Sequence, residues 1–464
     1  MSDAAATSLL DRAIRRITTA WRDMAASVAG EEDESLEAQM RTCLAGRGGE
    51  VSGRNRAAKL AQTYQSLDED GRKHFLHTLA SFDSDPDAVA HAYDAVREAG
   101  DIAERATAKA ALRKALEPPR LKLLTQFTSI PAGPKFLVDM RAFLLRTRGD
   151  DKLLAALESD LRGLLAAWFD IGFLELARID WNSPAALLEK LVDYEAVHAI
   201  RSWRDLKNRL DYDRRCYAFF HPRMPGEPLI FVEVALVKGL AGSVQGLLDE
   251  KAPVLNPQEA DTAIFYSISN CQQGLAGISF GNFLIKRVVG ELTSEFRNLK
   301  TFATLSPIPG FRRWLDAVLA ADEPALLSEE ESSSLMSAMP AENGAAALAA
   351  ILAKRHWWKE TGLRKTAEPV LMRLCARYLL VETSRGNPKR ARDPVAHFHL
   401  SNGARVERLT LCGDTSDKGA KESATLMVNY LYDPGKIEDW HEDYAGEGKR
   451  NASTTVRKLA RGWS

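Results

Sequence analysis

The chain has 464 residues, more than a single hydrophobic core usually serves, so two domains are the first expectation. It is 45% hydrophobic and 27% charged with a formal net charge of −1, which excludes a low-complexity chain and offers no basic field for nucleic acid. No apolar run reaches the length of a membrane span, and the five cysteines (Cys43, Cys216, Cys271, Cys375 and Cys412) form no C-x-x-C pair, so a zinc site or disulfide scaffold is not expected and a reducing cytoplasm fits.

In chain order, residues 8–27 place Leu10, Ile14, Ile17, Trp21 and Met24 on one helical face with arginines opposite. An amphipathic transit peptide has that form, but Asp11 and Asp23 break its acid-poor rule, so a packed first helix is expected. Helix continues almost throughout to about residue 175, with a Gly- and Glu-rich loop or short helix at 30–53. Within 151–169, Leu154, Leu157, Leu161, Leu164, Leu165 and Trp168 mark a buried stripe. No chemistry is apparent in this half, and packing against the second half or another subunit is its expected role.

The character changes near Asp180. Ser183 and Pro184 read as an N-cap and a first helical residue. Strands are expected at 229–237, where the apolar run suits a central strand, and at 263–269 and 301–305. A helix at 283–292 lies between the last two, so this half is mixed α/β. Residues 320–353 read as a solvated acidic insertion, followed by helices through Trp357–Trp358 and 371–380. A basic loop is expected at 385–392, a strand at 396–400, and a closing stretch, L-M-V-N-Y-L-Y-D, at 426–433.

Three places carry candidate chemistry. The loop N-C-Q-Q-G-L-A-G-I-S-F-G-N (270–282) puts Gly274, Gly277, Gly281 and Asn282 before a helix start, where free N–H groups and the helix dipole suit a pyrophosphate. It is neither a Walker loop nor a dinucleotide fingerprint, and a loop that merely turns the chain is as common. His397 and His399 would share one face of a strand, yet no carboxylate or cysteine stands at a matching spacing for a metal. His221 lies in a proline-stiffened loop, H-P-R-M-P-G-E-P-L, read as a connection. In 301–311, T-F-A-T-L-S-P-I-P-G-F, Ser306 ends a strand before two prolines and reads first as turn chemistry.

Together these segments resemble the malonyl-CoA decarboxylase family. The carrying stretches are R-R-C-Y-A-F-F-H-P-R-M-P-G-E-P-L (214–229), A-I-F-Y-S-I-S-N-C-Q-Q-G-L-A-G (263–277) and F-L-I-K-R-V-V-G-E-L (283–292). L-S-P-I-P-G-F (305–311), D-P-V-A-H-F-H-L-S-N-G-A (393–404) and M-V-N-Y-L-Y (427–432) continue it. The resemblance implies an α-helical N-terminal domain over 1–177, joining subunits into a dimer or tetramer. Behind it, over 178–464, it implies an α/β catalytic domain of GNAT-like acetyltransferase fold. The implied reaction converts malonyl-CoA to acetyl-CoA and CO2 without a cofactor or metal, in a cytoplasmic enzyme with no nucleic-acid or membrane partner. The implied catalytic residues are Ser306 and His399, with Tyr432 beside the site and the glycine loop on the coenzyme; for an enolate held in an oxyanion site, His399 is the expected proton donor to C2 and Ser306 an orienting hydrogen-bond partner, not a nucleophile. The family pattern has an acidic residue shortly after Gly277, where this chain has Ser279. The basic loop at 385–392 is read as solvated surface. The alternatives are a GNAT-type acyltransferase, which would need an acceptor groove, and a silent acyl-CoA-binding scaffold.

Overall fold

The computed structural model describes residues 19–21, 24, 35–46, 49–278, 283–321 and 326–461. Most of the first-helix expectation at 8–27 lies outside them, but Trp21 is fully buried, with its indole N–H donating to the Pro131 carbonyl. Eight helices follow among the described residues of the first half, from Leu36–Ala45 to Lys152–Trp168. Their starts are written in the sequence. Asp68, Asp85, Asp101 and Asp151 each accept a first-turn N–H that would otherwise have no partner. The stretch 30–53, expected as loop or short helix, holds helix Leu36–Ala45 and the start of Gly49–Ser66.

The second half is built on one sheet. Its strands are β1 (Glu175–Ile179), β2 (Arg214–Phe220), β3 (Pro228–Val237), β4 (Thr262–Asn270), β5 (Thr301–Thr304) and β6 (Ser306–Pro307), joined by β9 (Arg405–Thr410) and β10 (Met427–Tyr432). β7 (Thr383–Ser384) and β8 (Asn387–Ala391) form a separate two-stranded ribbon. β1 to β4 run antiparallel in sequence order, and β3 is central and buried, as its apolar run requires. β5 then pairs parallel to β4, and helix Phe283–Glu295 makes the crossover. β10 pairs β5 and β6 along one edge and β9 along the other. The apolar core of the helical half continues without a break onto one face of this sheet. β1 begins at Glu175, so the sheet takes up residues that the 177/178 division gave to the helical half.

Two irregularities in the sheet prepare the site. β4 and β5 pair only from Thr262↔Thr301 to Phe265↔Thr304 and then part. Immediately beyond, the register between β3 and β4 slips, with Glu233 opposite Ser267 and Val234 opposite Phe265. Tyr266 is the extra residue of that bulge, a device that re-aims side chains beside functional sites. A wedge opens between β4 and the β5–β6 edge.

Five expectations need correction. Residues 396–400 are not a strand: helix Pro394–Ser401 occupies them, capped by Asp393 with Pro394 in its first turn. Residues 320–353 are not a solvated insertion. Ser328 and Glu331 form a capping box that opens helix Glu329–Ala338, and helix Gly344–Ala353 buries Ala347, Leu348, Ile351 and Leu352. The acidic run is a helix N-terminus, where negative charge is favourable. The basic loop at 385–392 is the β7–β8 ribbon, largely exposed. Pro184 stands at the N-cap of helix Ala185–Tyr194, and the Ser183 hydroxyl accepts from the Asp180 N–H, one residue off the expected cap. Trp357–Trp358 begin a 3-10 turn rather than a longer helix.

Burial at 344–353 has a measurable consequence. Leu348→Ala should lower unfolding free energy in urea by about 2–5 kcal/mol, as for a buried leucine. A change within the error of surface substitutions would return the segment to a solvated insertion.

Candidate active site

Ser306, His399 and Tyr432 are brought into one hydrogen-bonded line. Ser306 Oγ lies 3.0 Å from His399 Nε2, and His399 Nδ1 lies 2.8 Å from the Tyr432 hydroxyl. All three are buried. Ser306 Oγ also donates to Thr304 Oγ1 at 2.8 Å, and Thr304 Oγ1 accepts from the Tyr430 N–H. The Tyr430 ring stacks on the His399 imidazole at 4.5 Å between centroids.

The line has a direction. Burial raises the Tyr432 hydroxyl well above the usual phenol range, so it keeps its proton. Its hydrogen-bond partner among the described residues is His399 Nδ1, to which it donates. Burial also lowers the His399 imidazole to about 3, so the ring is neutral and carries its single proton on Nε2, facing Ser306. Ser306 therefore accepts from the ring and donates to Thr304.

One buried carboxylate fixes both arms of this pair. Asp393 is fully buried and caps the helix that carries His399, accepting the N–H groups of Val395 and Ala396. The same carboxylate accepts the Gly310 N–H and the Tyr378 hydroxyl, and Gly310 ends the proline turn after Ser306. A side chain at 310 would put its Cβ 2.2 Å from that hydroxyl, so the glycine of P-I-P-G-F is a packing requirement. Pro307 pairs with Met427 of β10, and Ile308 is fully buried, which pins the turn.

The wedge between β4 and β5–β6 holds a cavity of about 240 Å³, lined by Ser306, His399, Pro307, Phe398 and by Phe265 to Ile268 of β4. Beyond Phe265 no strand among the described residues pairs with this side of β4, so backbone groups of the edge face the cavity. Ser267, turned by the bulge, donates to the buried Glu195 carboxylate at 2.7 Å. A second cavity of about 280 Å³ shares Asn270 and Phe398 with the first and is lined by Gln272, Leu275, Gly277 and Ile278 of the glycine loop.

The remaining sequence candidates scatter. Gly277 takes φ +73° with open space around it, a conformation suited to glycine. Gly274 is needed for a different reason: a Cβ there would lie 1.8 Å from the Val138 carbonyl of helix Gly133–Thr147. Gly281, Asn282 and Ser279 lie outside the described residues. His397 points away from His399, with Nδ1 2.9 Å from the Tyr444 hydroxyl. On a helix, positions two apart do not share a face, which removes the two-histidine metal idea. No group of three metal-ligating side chains occurs among the described residues. His221 bonds the Trp168 carbonyl across the two halves, a structural role. Sequence reading missed Thr304, Tyr430 and Asp393. The Asp393–Pro394 pair was a legible helix start; the tyrosine stack was not.

A strand-end hydroxyl and a neutral imidazole line a cavity of about 240 Å³ beside a glycine loop, with a phenol behind the imidazole, a set of groups able to hold and pass a proton. Comparison with known proteins gives the family. The malonyl-CoA decarboxylase C-terminal domain matches residues 172–463, and the N-terminal domain of the same family matches 82–169. Mitochondrial malonyl-CoA decarboxylase of Anser anser anser is 37% identical over 396 residues, covering 81% of this chain and 77% of that protein. That of Mus musculus is 38% identical over 376 residues, covering 78% and 75%. The crystal structure of malonyl-CoA decarboxylase from Rhodopseudomonas palustris superposes with a TM-score of 0.82 at 42% identity, covering 91% of this chain and 98% of that one. That from Agrobacterium vitis gives 0.82 at 41%, covering 91% and 99%. The chain belongs to the malonyl-CoA decarboxylase family.

His399 and Asp393 act on stability with opposite signs. His399 binds a proton only near pH 3 when folded but near 6.5 when unfolded, so it weakens the fold as pH falls through that window. Burial raises Asp393 from 3.8 to about 6, so its ionisation weakens the fold as pH rises between those values. Asp393→Asn removes the second effect. Its urea midpoint should therefore fall more steeply than wild type between pH 6.5 and about 4; parallel curves would contradict this assignment.

Proposed function

We propose that this chain decarboxylates malonyl-CoA to acetyl-CoA and CO2 as a carboxy-lyase, without an acceptor substrate. The observation that carries the reading is the Tyr432–His399–Ser306 line ending in the cavity, in a chain of this family. The helical half followed by a parallel β4–β5 pair that parts, a bulge, and a glycine loop before a helix supports the GNAT-like reading of the catalytic half. In that reading the loop with Gly274, Gly277, Gly281 and Asn282 meets the coenzyme, and the acyl group reaches the Ser306 cavity past Asn270 and Phe398.

Malonyl-CoA supplies its own electron sink. As the C–CO2 bond breaks, its electron pair enters the thioester as an enolate, so the protein needs to hold the carboxylate out of the thioester plane, stabilise the enolate oxygen and protonate C2. The unpaired edge of β4 offers N–H donors for the oxygen. His399 gives its Nε2 proton to C2, and Ser306, held by Thr304, orients the malonyl group and the ring by hydrogen bonds. Tyr432 gives its proton to Nδ1 as Nε2 loses its own, and once product leaves, a solvent proton reaching Nε2 through the cavity returns the Nδ1 proton to Tyr432 and restores the starting tautomer. An enolate carbon is a far stronger base than a phenolate, so the transfer runs downhill. A nucleophilic Ser306 fits poorly, because the nitrogen facing it already bears a proton and no G-x-S-x-G elbow surrounds it.

Self-association through the helical half is part of the same proposal. Helices Pro86–Glu98 and Ile102–Ala115 form a hairpin whose second member buries none of its residues and exposes Ile102 at 86%, a surface suited to a dimer or tetramer contact. No described helix is long and apolar enough to cross a membrane, and the cytoplasm is the proposed location.

Purified protein given malonyl-CoA alone should release CO2, and a requirement for an amine or alcohol acceptor would favour the acyltransferase instead. His399→Asn should lower kcat by ~100-fold or more, the range for a lost proton-transfer group. Wild-type turnover and normal deuterium incorporation at C2 in that variant, or full activity in Ser306→Ala, would remove the residue from the mechanism. By light scattering, Ile102→Glu should shift any oligomer towards smaller species; an unchanged mass would exclude the hairpin as the contact.

A further inference from the structure

Arg141 belongs to the helical half, on helix Gly133–Thr147, yet its guanidinium ends in the glycine loop of the other half. It is 2% exposed. One nitrogen, Nη1, donates to the carbonyls of Gly274 and Ala276, at 2.6 and 2.9 Å. The other two, Nε and Nη2, grip Glu158 Oε1 on helix Lys152–Trp168, at 3.0 and 2.6 Å. The donors are thus divided between a carboxylate that fixes the side chain and two carbonyls that fix the loop. Gly274 adds a second tie, since its backbone lies against the Val138 carbonyl with no room for a Cβ.

A buried charge is a poor choice if packing were the only need. An apolar side chain would fill the space without desolvating a guanidinium, whereas a planar fork with fixed donors sets the direction of what it binds. Here it sets two peptide planes. Because the trans peptide is planar, drawing the Ala276 carbonyl towards the helical half turns the Gly277 N–H the opposite way. Gly277 lines the cavity that leads to Ser306, and its φ of +73° is the conformation this turn requires.

We infer that Arg141 is a positioning residue through which the helical half shapes the loop for the coenzyme part of the substrate. The inference rests on the reading that this loop binds the coenzyme. Its consequence is that acyl-CoA affinity depends on a residue outside the catalytic half, and that a shift of helix Gly133–Thr147 changes substrate binding without touching the Ser306–His399 pair.

The test compares two substrates on the full-length protein. Malonyl-CoA carries the nucleotide and pyrophosphate; malonyl-N-acetylcysteamine carries the same acyl thioester without them. In Arg141→Met and Arg141→Lys, KM for malonyl-CoA should rise ~10-fold or more, the effect of losing hydrogen bonds to a charged group. The truncated thioester should be turned over with wild-type kcat/KM. Parallel losses on both substrates would reduce Arg141 to a structural ion pair, and no loss on either would overturn the proposal outright. If the methionine variant does not fold, the lysine variant decides, since it keeps the charge and loses the fork. Failure of the underlying reading has a separate signature: wild-type protein would then use both substrates with equal kcat/KM.

Discussion

The parting of β4 from β5 is the constraint from which the rest of the site follows. Two parallel strands held together by backbone hydrogen bonds have no reason to separate, and here they do so after Phe265 and Thr304. Each side has a local cause. On β5, the Leu305 N–H closes the last bond to the Phe265 carbonyl, and Pro307 and Pro309 then forbid continuation as an ordinary ladder. On β4, the extra residue at Tyr266 twists the strand away. The gap cannot be left to water alone, and the helix carrying His399 covers it. Ser306 is the first residue past the separation and so stands at the apex of the wedge.

A wedge of this kind is useful only if the side chains facing it are held still, and a single carboxylate connects the two segments that carry Ser306 and His399. Asp393 holds the start of the His399 helix and the end of the Ser306 turn at once. Its burial without a basic partner raises its pKa towards neutrality, an electrostatic burden that surface caps such as Asp68 do not carry. The arrangement exchanges stability for position, as is common where a site must be pre-organised. The same logic applies to His399, which burial keeps neutral so that its proton sits on a defined nitrogen.

Much of the fold was legible because its signals are local. The β3 run, the alternation of strand and helix between 263 and 305, and the leucine stripe of 152–168 each follow from side-chain period alone. The structure departs from the sequence expectation where one local signal depends on its neighbour. S-E-E-E-S-S-S reads as solvated on charge alone, whereas its capping box makes it a helix start, and A-H-F-H-L reads as a strand unless Asp393–Pro394 is joined to it as a cap. For the site, Ser306, His399 and Tyr432 were reached through resemblance to a family, since no rule of spacing links positions 93 residues apart. Thr304 and Tyr430 were out of reach, because their part depends on how β10 crosses β5 and β6.

Gly274 has two readings whose physical grounds differ, and the structure bears on one of them. A glycine before a helix suggests close approach of a phosphate, and here the close approach observed is that of the Val138 carbonyl. The two are not rivals. A loop that must present N–H groups to a ligand has to direct its carbonyls elsewhere, and in this protein Arg141 and the backbone of the helical half receive them. The helical half therefore does more than cover the apolar face of the sheet. It supplies the opposite wall against which the loop is set, and this explains why a buried Arg141–Glu158 pair stands at that junction where hydrophobic contact alone would have closed the core.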